Sequence, residues 1–139
     1  KDVGALSKLT GYPIVGHAYP GGSSSDKVAD CLKKYGVIYA REVWWTNSFS
    51  FPVNPLRYRA TCMAHDKKLF DLADRFIAAE PQADDLLFYI WGHGYEMDFG
   101  TELCSWKRFE QFCEKIAGHK DIVYCTNKQA FEEHLQKGL

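Results

Sequence analysis

The run Leu86-Leu87-Phe88-Tyr89-Ile90-Trp91 limits what this chain can fold into more than any other segment, and it breaks abruptly into Gly92-His93-Gly94-Tyr95-Glu96. Six consecutive apolar or aromatic residues ending in glycine predict a strand buried on both faces. In α/β folds the C-terminal ends of strands are where ligands and reactive side chains collect. His93 stands at that end, so a rigid element delivers a titratable ring, and the ring is a candidate for acid–base chemistry. A histidine that only caps the strand through hydrogen bonds is the other reading of the same residues.

Around this run the pattern alternates. Ile14-Val15 leads into Gly16-His17-Ala18-Tyr19-Pro20-Gly21-Gly22, a strand breaking into a loop. Ser23-Ser24-Ser25 before Asp26 predicts a helix start, with a hydroxyl cap and an acid near the positive end of the dipole. Val28, Leu32 and Tyr35 keep helical spacing until Gly36, and Val37–Trp45 is β-branched and aromatic, a second strand. Thr46–Met63 has no clear period and reads as a long connecting loop. Leu69, Leu72, Ala73, Phe76 and Ile77 mark a helix capped by Asp66 and ending near Pro81. After the Leu86–His93 strand, Phe109, Phe112, Cys113 and Ile116 mark a helix opened by Ser105 and closed by Gly118. Asp121–Thr126 reads as a short fourth strand, and Ala130, Phe131, His134 and Leu135 line a last helix. The fold class is therefore α/β, four βα units with parallel strands joined by right-handed crossovers. Four such units make a small open sheet or half of an eight-unit barrel, since a whole barrel needs about 250 residues.

Composition narrows the function classes. With 139 residues, no internal repeats and no linker, residues 1–139 are expected to form a single unit. A formal net charge of −1 gives no electrostatic reason to expect nucleic acid or an anionic membrane as partner. No run approaches the roughly 18 apolar residues of a membrane helix. The 15% aromatic content exceeds what a core of this size calls for, and surplus Trp and Tyr at loop ends is a common grip on sugars. Cys31, Cys62, Cys104, Cys113 and Cys125 are odd in number and never at CxxC spacing, so buried free thiols are expected in place of a zinc knuckle or disulfide framework.

Taken in order, several segments resemble the C-terminal half of the polysaccharide deacetylase (NodB-homology) domain, a distorted (β/α) barrel. Leu6–Pro13 followed by Gly16–Gly22 resembles the family's third motif, where a strand ends in an aromatic–proline–glycine loop. Leu32–Arg41 is similar to the segment that turns at glycine into the next strand. Trp91-Gly92-His93 looks like the fifth motif, which delivers the family's catalytic histidine, and Asp121–Asn127 resembles the last strand with its Thr-Asn end. The resemblance implies removal of acetyl groups from a carbohydrate polymer, with a divalent metal (zinc or similar) activating water and a histidine protonating the leaving amine. It assigns His93 as the general acid. Tyr19 and Pro20 would lie in the loop that helps to hold acetate. Trp45, Trp91 and Tyr95 would form walls for acetyl methyl or sugar faces, with core packing the equal alternative for Trp91.

The sequence also departs from that pattern. The family's Thr-Phe-Asp-Asp motif and its histidine pair, which supply the base and the metal ligands, are absent, and the arginine often found in the third motif is replaced, with Ala18 at its position. Asp84-Asp85 precedes a strand where the family's acidic pair follows one. The expectation is a C-terminal portion of a deacetylase-like domain, inactive alone and with no metal site of its own. Its sheet edges would then be covered by self-association, such as a homodimer that partly rebuilds the barrel.

Two supporting residues complete the expected site. Glu96 is expected either to bias the His93 imidazole or to be a solvated loop acid. Arg41 is expected to fix a carboxylate of the site or to form a structural ion pair. His65 is a weaker candidate, because Asp66 beside it reads simply as a helix cap, and His17 reads as packing. His119 and His134 receive no role. Two other classes stay open: a noncatalytic carbohydrate- or partner-binding α/β module, and a small flavodoxin-like domain in which Gly21–Ser25 cradles phosphate at a helix start.

Overall fold

The computed structural model describes residues 2–80 and 85–137. The predicted helix stop at Pro81 and the Asp84 of Asp84-Asp85 lie outside these residues. The chain is a mixed α/β protein in the order α1 (Asp2–Thr10), β1 (Gly16–Ala18), α2 (Asp26–Lys34), β2 (Tyr39–Trp45), β3 (Tyr58–Ala60), β4 (Cys62–Met63), α3 (Leu69–Ile77), β5 (Ile90–Trp91), α4 (Trp106–Ile116) and α5 (Asn127–Lys137). A three-stranded sheet runs β1-β2-β3 and a two-stranded sheet pairs β4 with β5. Both β1–β2 and β4–β5 are parallel, as the alternating pattern predicts. Contacts gather the chain into two compact units. One holds the residues up to Trp44, Pro52–Arg59 and the segment from Cys125; the other holds Trp45–Phe51 and Ala60–Tyr124.

In the first unit, Ser25 opens α2 by accepting the Val28 N–H, and Gly36 follows the helix at φ 81°, a conformation that favours glycine. The buried face of α2 differs from the predicted one: Ala29 is buried, whereas Val28 and Tyr35 are exposed. The core collects Tyr19, Val37, Ala40, Tyr58 and Phe131, with the Phe131 ring stacked on Tyr39 and tilted against Tyr58. Glu42 shares the inward face of β2 with Ala40 and is only 3% exposed. A buried carboxylate needs partners. Here Ser24 Oγ (2.6 Å) and Arg57 Nε (3.1 Å) donate to Oε1, and Arg59 Nε (2.9 Å) donates to Oε2. Burial alone would push this carboxyl up, but those three hydrogen bonds outweigh it and hold it below the ordinary glutamate value. Arg57 reaches on to Asp26 at the start of α2, so one guanidinium ties β2 to that helix.

The second unit packs α3 and α4 around Cys62, Leu69, Leu72, Ala73 and Phe112, with Phe49, Phe88 and Ile90 against them. Ser105 caps α4 as the sequence predicts, accepting the Arg108 N–H, whereas α3 starts only at Leu69 with no side-chain cap, and Asp66 Oδ1 instead accepts the Lys68 N–H in the turn before it.

Four expectations are corrected. The Leu86–Trp91 run is half-buried rather than buried on both faces, and its regular part is only Ile90–Trp91, preceded by one antiparallel bridge from Leu86 to Ser50. Its partner β4 is likewise only two residues long. Asp121–Thr126 forms no strand: Val123 is 77% exposed, and no strand pairing of the segment is found among the described residues. β-branched residues make a strand only where an edge accepts their backbone groups. The Thr46–Met63 segment is not a plain loop, for it carries β3 and β4. Among the cysteines only Cys62 is buried; Cys31, Cys113 and Cys125 are exposed and Cys104 is half-buried, all as free thiols.

Candidate functional site

The parallel pairing of β4 with β5 brings two strand ends together. Met63 pairs with Trp91, so His65 and His93, each two residues farther on, leave the sheet from the same end. Ala64 N donates to Trp91 O at 2.8 Å and continues the ladder past the named strands. Gly92 sits where a Cβ would come within 3.0 Å of the Ala64 methyl, which is why a side chain between Trp91 and His93 would force these ends apart.

His93 is exposed and begins a 3-10 helix, Gly94–Phe99. Two aromatic side chains frame its imidazole. Tyr95 stacks on it with centroids 5.3 Å apart and planes 18° apart, and Trp91 meets it edge-on at 5.7 Å. Glu96 fixes the turn from below. Its Oε2 accepts the His93 backbone N–H at 3.0 Å, while its own N–H donates to the His93 carbonyl. The sequence reading has Glu96 acting on the imidazole; the contact found is to the main chain of the same residue. The same Oε2 lies 3.4 Å from His65 Nδ1. Tyr95, Phe99 and Trp106 are exposed beside this turn, and Trp106 Nε1 donates to Asp98 Oδ1 at 2.6 Å.

Among the sequence-expected residues, His93, Trp91, Tyr95 and Glu96 therefore come together, and the half-buried Trp91 contributes an edge rather than a face to the cluster. Trp45, at the end of β2, is 41% exposed and belongs to the same compact unit. Tyr19, Pro20 and Arg41 belong to the other unit. There Tyr19 is buried with its hydroxyl donated to Leu56 O at 2.7 Å, Pro20 is exposed at the start of a 3-10 turn, and Arg41 Nη1 donates to the Glu42 carbonyl. His17 packs edge-on against Tyr19, and burial pushes its ring down from the ordinary value of 6.5.

Arg108 was not singled out in the sequence, yet its guanidinium donates to the carbonyls of Ala64 and Asp66, on either side of His65. No local motif signals it, because the contact joins α4 to a turn far away in sequence. Among the described residues no three His, Cys, Asp or Glu side chains gather closely enough to hold a metal ion. The described residues alone do not offer a ligand set for the divalent metal that the resemblance implies. No protein-family model, curated protein or solved structure matches this chain.

Proposed function

We propose that this chain supplies the acid-bearing, sugar-facing part of a polysaccharide deacetylase-like hydrolase, which removes N-acetyl or O-acetyl groups from a carbohydrate polymer. The observation that carries this reading is the exposed His93 ring at the end of a parallel strand, stacked on Tyr95 and held at its backbone by Glu96. Amide hydrolysis breaks the C–N bond, a water oxygen joins the carbonyl carbon, and the amine nitrogen takes a proton. An unprotonated amine is a very poor leaving group, so a positioned acid lowers the barrier. In this reading His93 donates that proton, and Tyr95 and Trp91 hold its ring while facing acetyl or sugar carbons.

The finer architecture belongs to the same proposal: parallel βα units, without the expected fourth strand, that resemble part of a distorted (β/α) barrel with its edges covered in a homodimer. The parallel pairings β1–β2 and β4–β5 are its support. Metal ligands would come from outside this sequence, within a longer domain.

A second reading, a noncatalytic carbohydrate-binding module, is favoured by the exposed Tyr95, Phe99 and Trp106 with Asp98 among them. Calorimetric titration with N-acetylated and fully deacetylated chitooligosaccharides tests both. The hydrolase reading expects the acetylated form to bind more tightly. It also expects His93→Ala to lower acetate release by the complete domain roughly 100- to 10,000-fold, the usual range for a lost general acid. Sugar binding with no His93-dependent acetate release would favour the module. Absence of any sugar binding would sink both.

A further inference from the structure

Glu96 Oε2 faces two groups at once: the His93 backbone N–H at 3.0 Å and the His65 Nδ1 at 3.4 Å. His65 Nδ1 is shut off from solvent and makes no well-formed hydrogen bond in this geometry. A buried ring nitrogen left so is unfavourable, and a carboxylate oxygen a few tenths of an ångström beyond hydrogen-bond length is the group that relieves it.

The turn carrying His65 is itself built rigidly. Arg108 Nη1 donates to Ala64 O at 3.0 Å and Nη2 to Asp66 O at 2.7 Å, so one guanidinium grips the main chain before and after the ring. The same guanidinium lies over the Phe70 ring, 5.2 Å from its centroid. A planar fork held by two carbonyls and an aromatic face has little freedom left, and a lysine could not replace it. His65 is thus oriented through main-chain groups on either side of it.

The geometry points to His65 as a positioning residue for His93: Arg108 sets the His65 turn, His65 donates Nδ1–H to Glu96, and Glu96 in turn fixes the main chain that carries the His93 ring. The functional meaning rests on the reading of His93 as the acid, but the linkage itself is a property of the unliganded chain.

The test uses the full chain labelled with 15N and 13C, and no sugar. Ring-nitrogen NMR of neutral His65 is expected to show the Nδ1–H tautomer, against the Nε2–H form that water favours. In Glu96→Ala the acceptor facing Nδ1 is removed, so the His65 tautomer is expected to switch to Nε2–H. His65→Leu is expected to speed hydrogen exchange of the His93 amide at least fivefold, and His65→Asn, which returns an N–H donor near the Nδ1 position, to restore protection. A wild-type His65 in the Nε2–H form overturns the proposal. So does a His93 amide indifferent to a folded His65→Leu chain. If His65→Leu does not fold, the tautomer of wild type and Glu96→Ala still decides. Failure of sugar binding or acetate release would strike the carbohydrate reading and leave these signals untouched.

Discussion

The rings of His93 and Tyr95 lie 5.3 Å apart, with planes 18° from parallel, on the exposed side of the turn that follows β5. Stacking of this kind restricts the imidazole while leaving the outer tyrosine face free. Tyr95→Ala should therefore weaken binding of N-acetylated oligosaccharides roughly three- to tenfold, the equivalent of an aromatic contact of about 0.5–1.5 kcal/mol. Tyr95→Phe should keep most of it, and titration calorimetry on the three proteins checks both.

Glu96 closes the start of the 3-10 helix by accepting the His93 N–H. Glu96→Ala leaves that donor without its cap, and the expected loss is about 0.5–2 kcal/mol. Urea denaturation measures it. An unchanged midpoint would mean that water replaces the carboxylate at no cost.

Glu42 makes stability depend on pH. Its carboxyl titrates lower in the folded chain than in the unfolded one, despite burial, because Ser24, Arg59 and Arg57 bind its charged form. The unfolded state therefore takes up the proton first as pH falls. The stabilisation is complete above the ordinary value of 4.5 and is lost as pH drops through the lower folded value. The stability gap between wild type and Glu42→Gln should be widest near about pH 6 and shrink toward about pH 3. Urea midpoints across that range check the sign.

Cys62 is buried in the α3–α4 core, and burial, with the charge of Asp66 nearby, pushes its thiol up to about 12. The thiolate is the reactive form. Alkylation near neutral pH should modify exposed Cys31, Cys113 and Cys125 in the native chain and reach Cys62 only after unfolding. Mass mapping of the labelled peptides reads this directly.

Leu72 is 1% exposed in the same core. Leu72→Ala should destabilise the chain by about 2–5 kcal/mol through lost burial and the cavity left behind, as seen by thermal or urea unfolding.

Two helix starts were readable from the sequence because capping is local chemistry: Ser25 and Ser105 each accept the N–H three residues on, whereas Asp66 bonds only within the turn before α3. Strands were less readable, because a strand exists only where a partner accepts its backbone. Asp121–Thr126 has strand composition and forms none, whereas Tyr58–Ala60 alternates buried, exposed, buried inside what reads as a loop. That alternation was the available signal. Within the candidate site, His93, Tyr95 and Glu96 are neighbours in sequence and were visible. His65, weighed only as a weaker candidate, acquires its place through the β4–β5 register, and Arg108 acquires its place through helix packing that no local spacing signals. Glu42 was foreseeable in part, as a charged residue on the same face of β2 as Ala40.

The account turns on His93 meeting a sugar. Following the five histidine rings by NMR while the chain is titrated with an N-acetylated chitooligosaccharide tests that most directly. The His93 resonances should shift saturably, together with those of Tyr95, while His17, His119 and His134 stay in place. Saturable sugar binding that leaves His93 unmoved, or no binding at all, would contradict it.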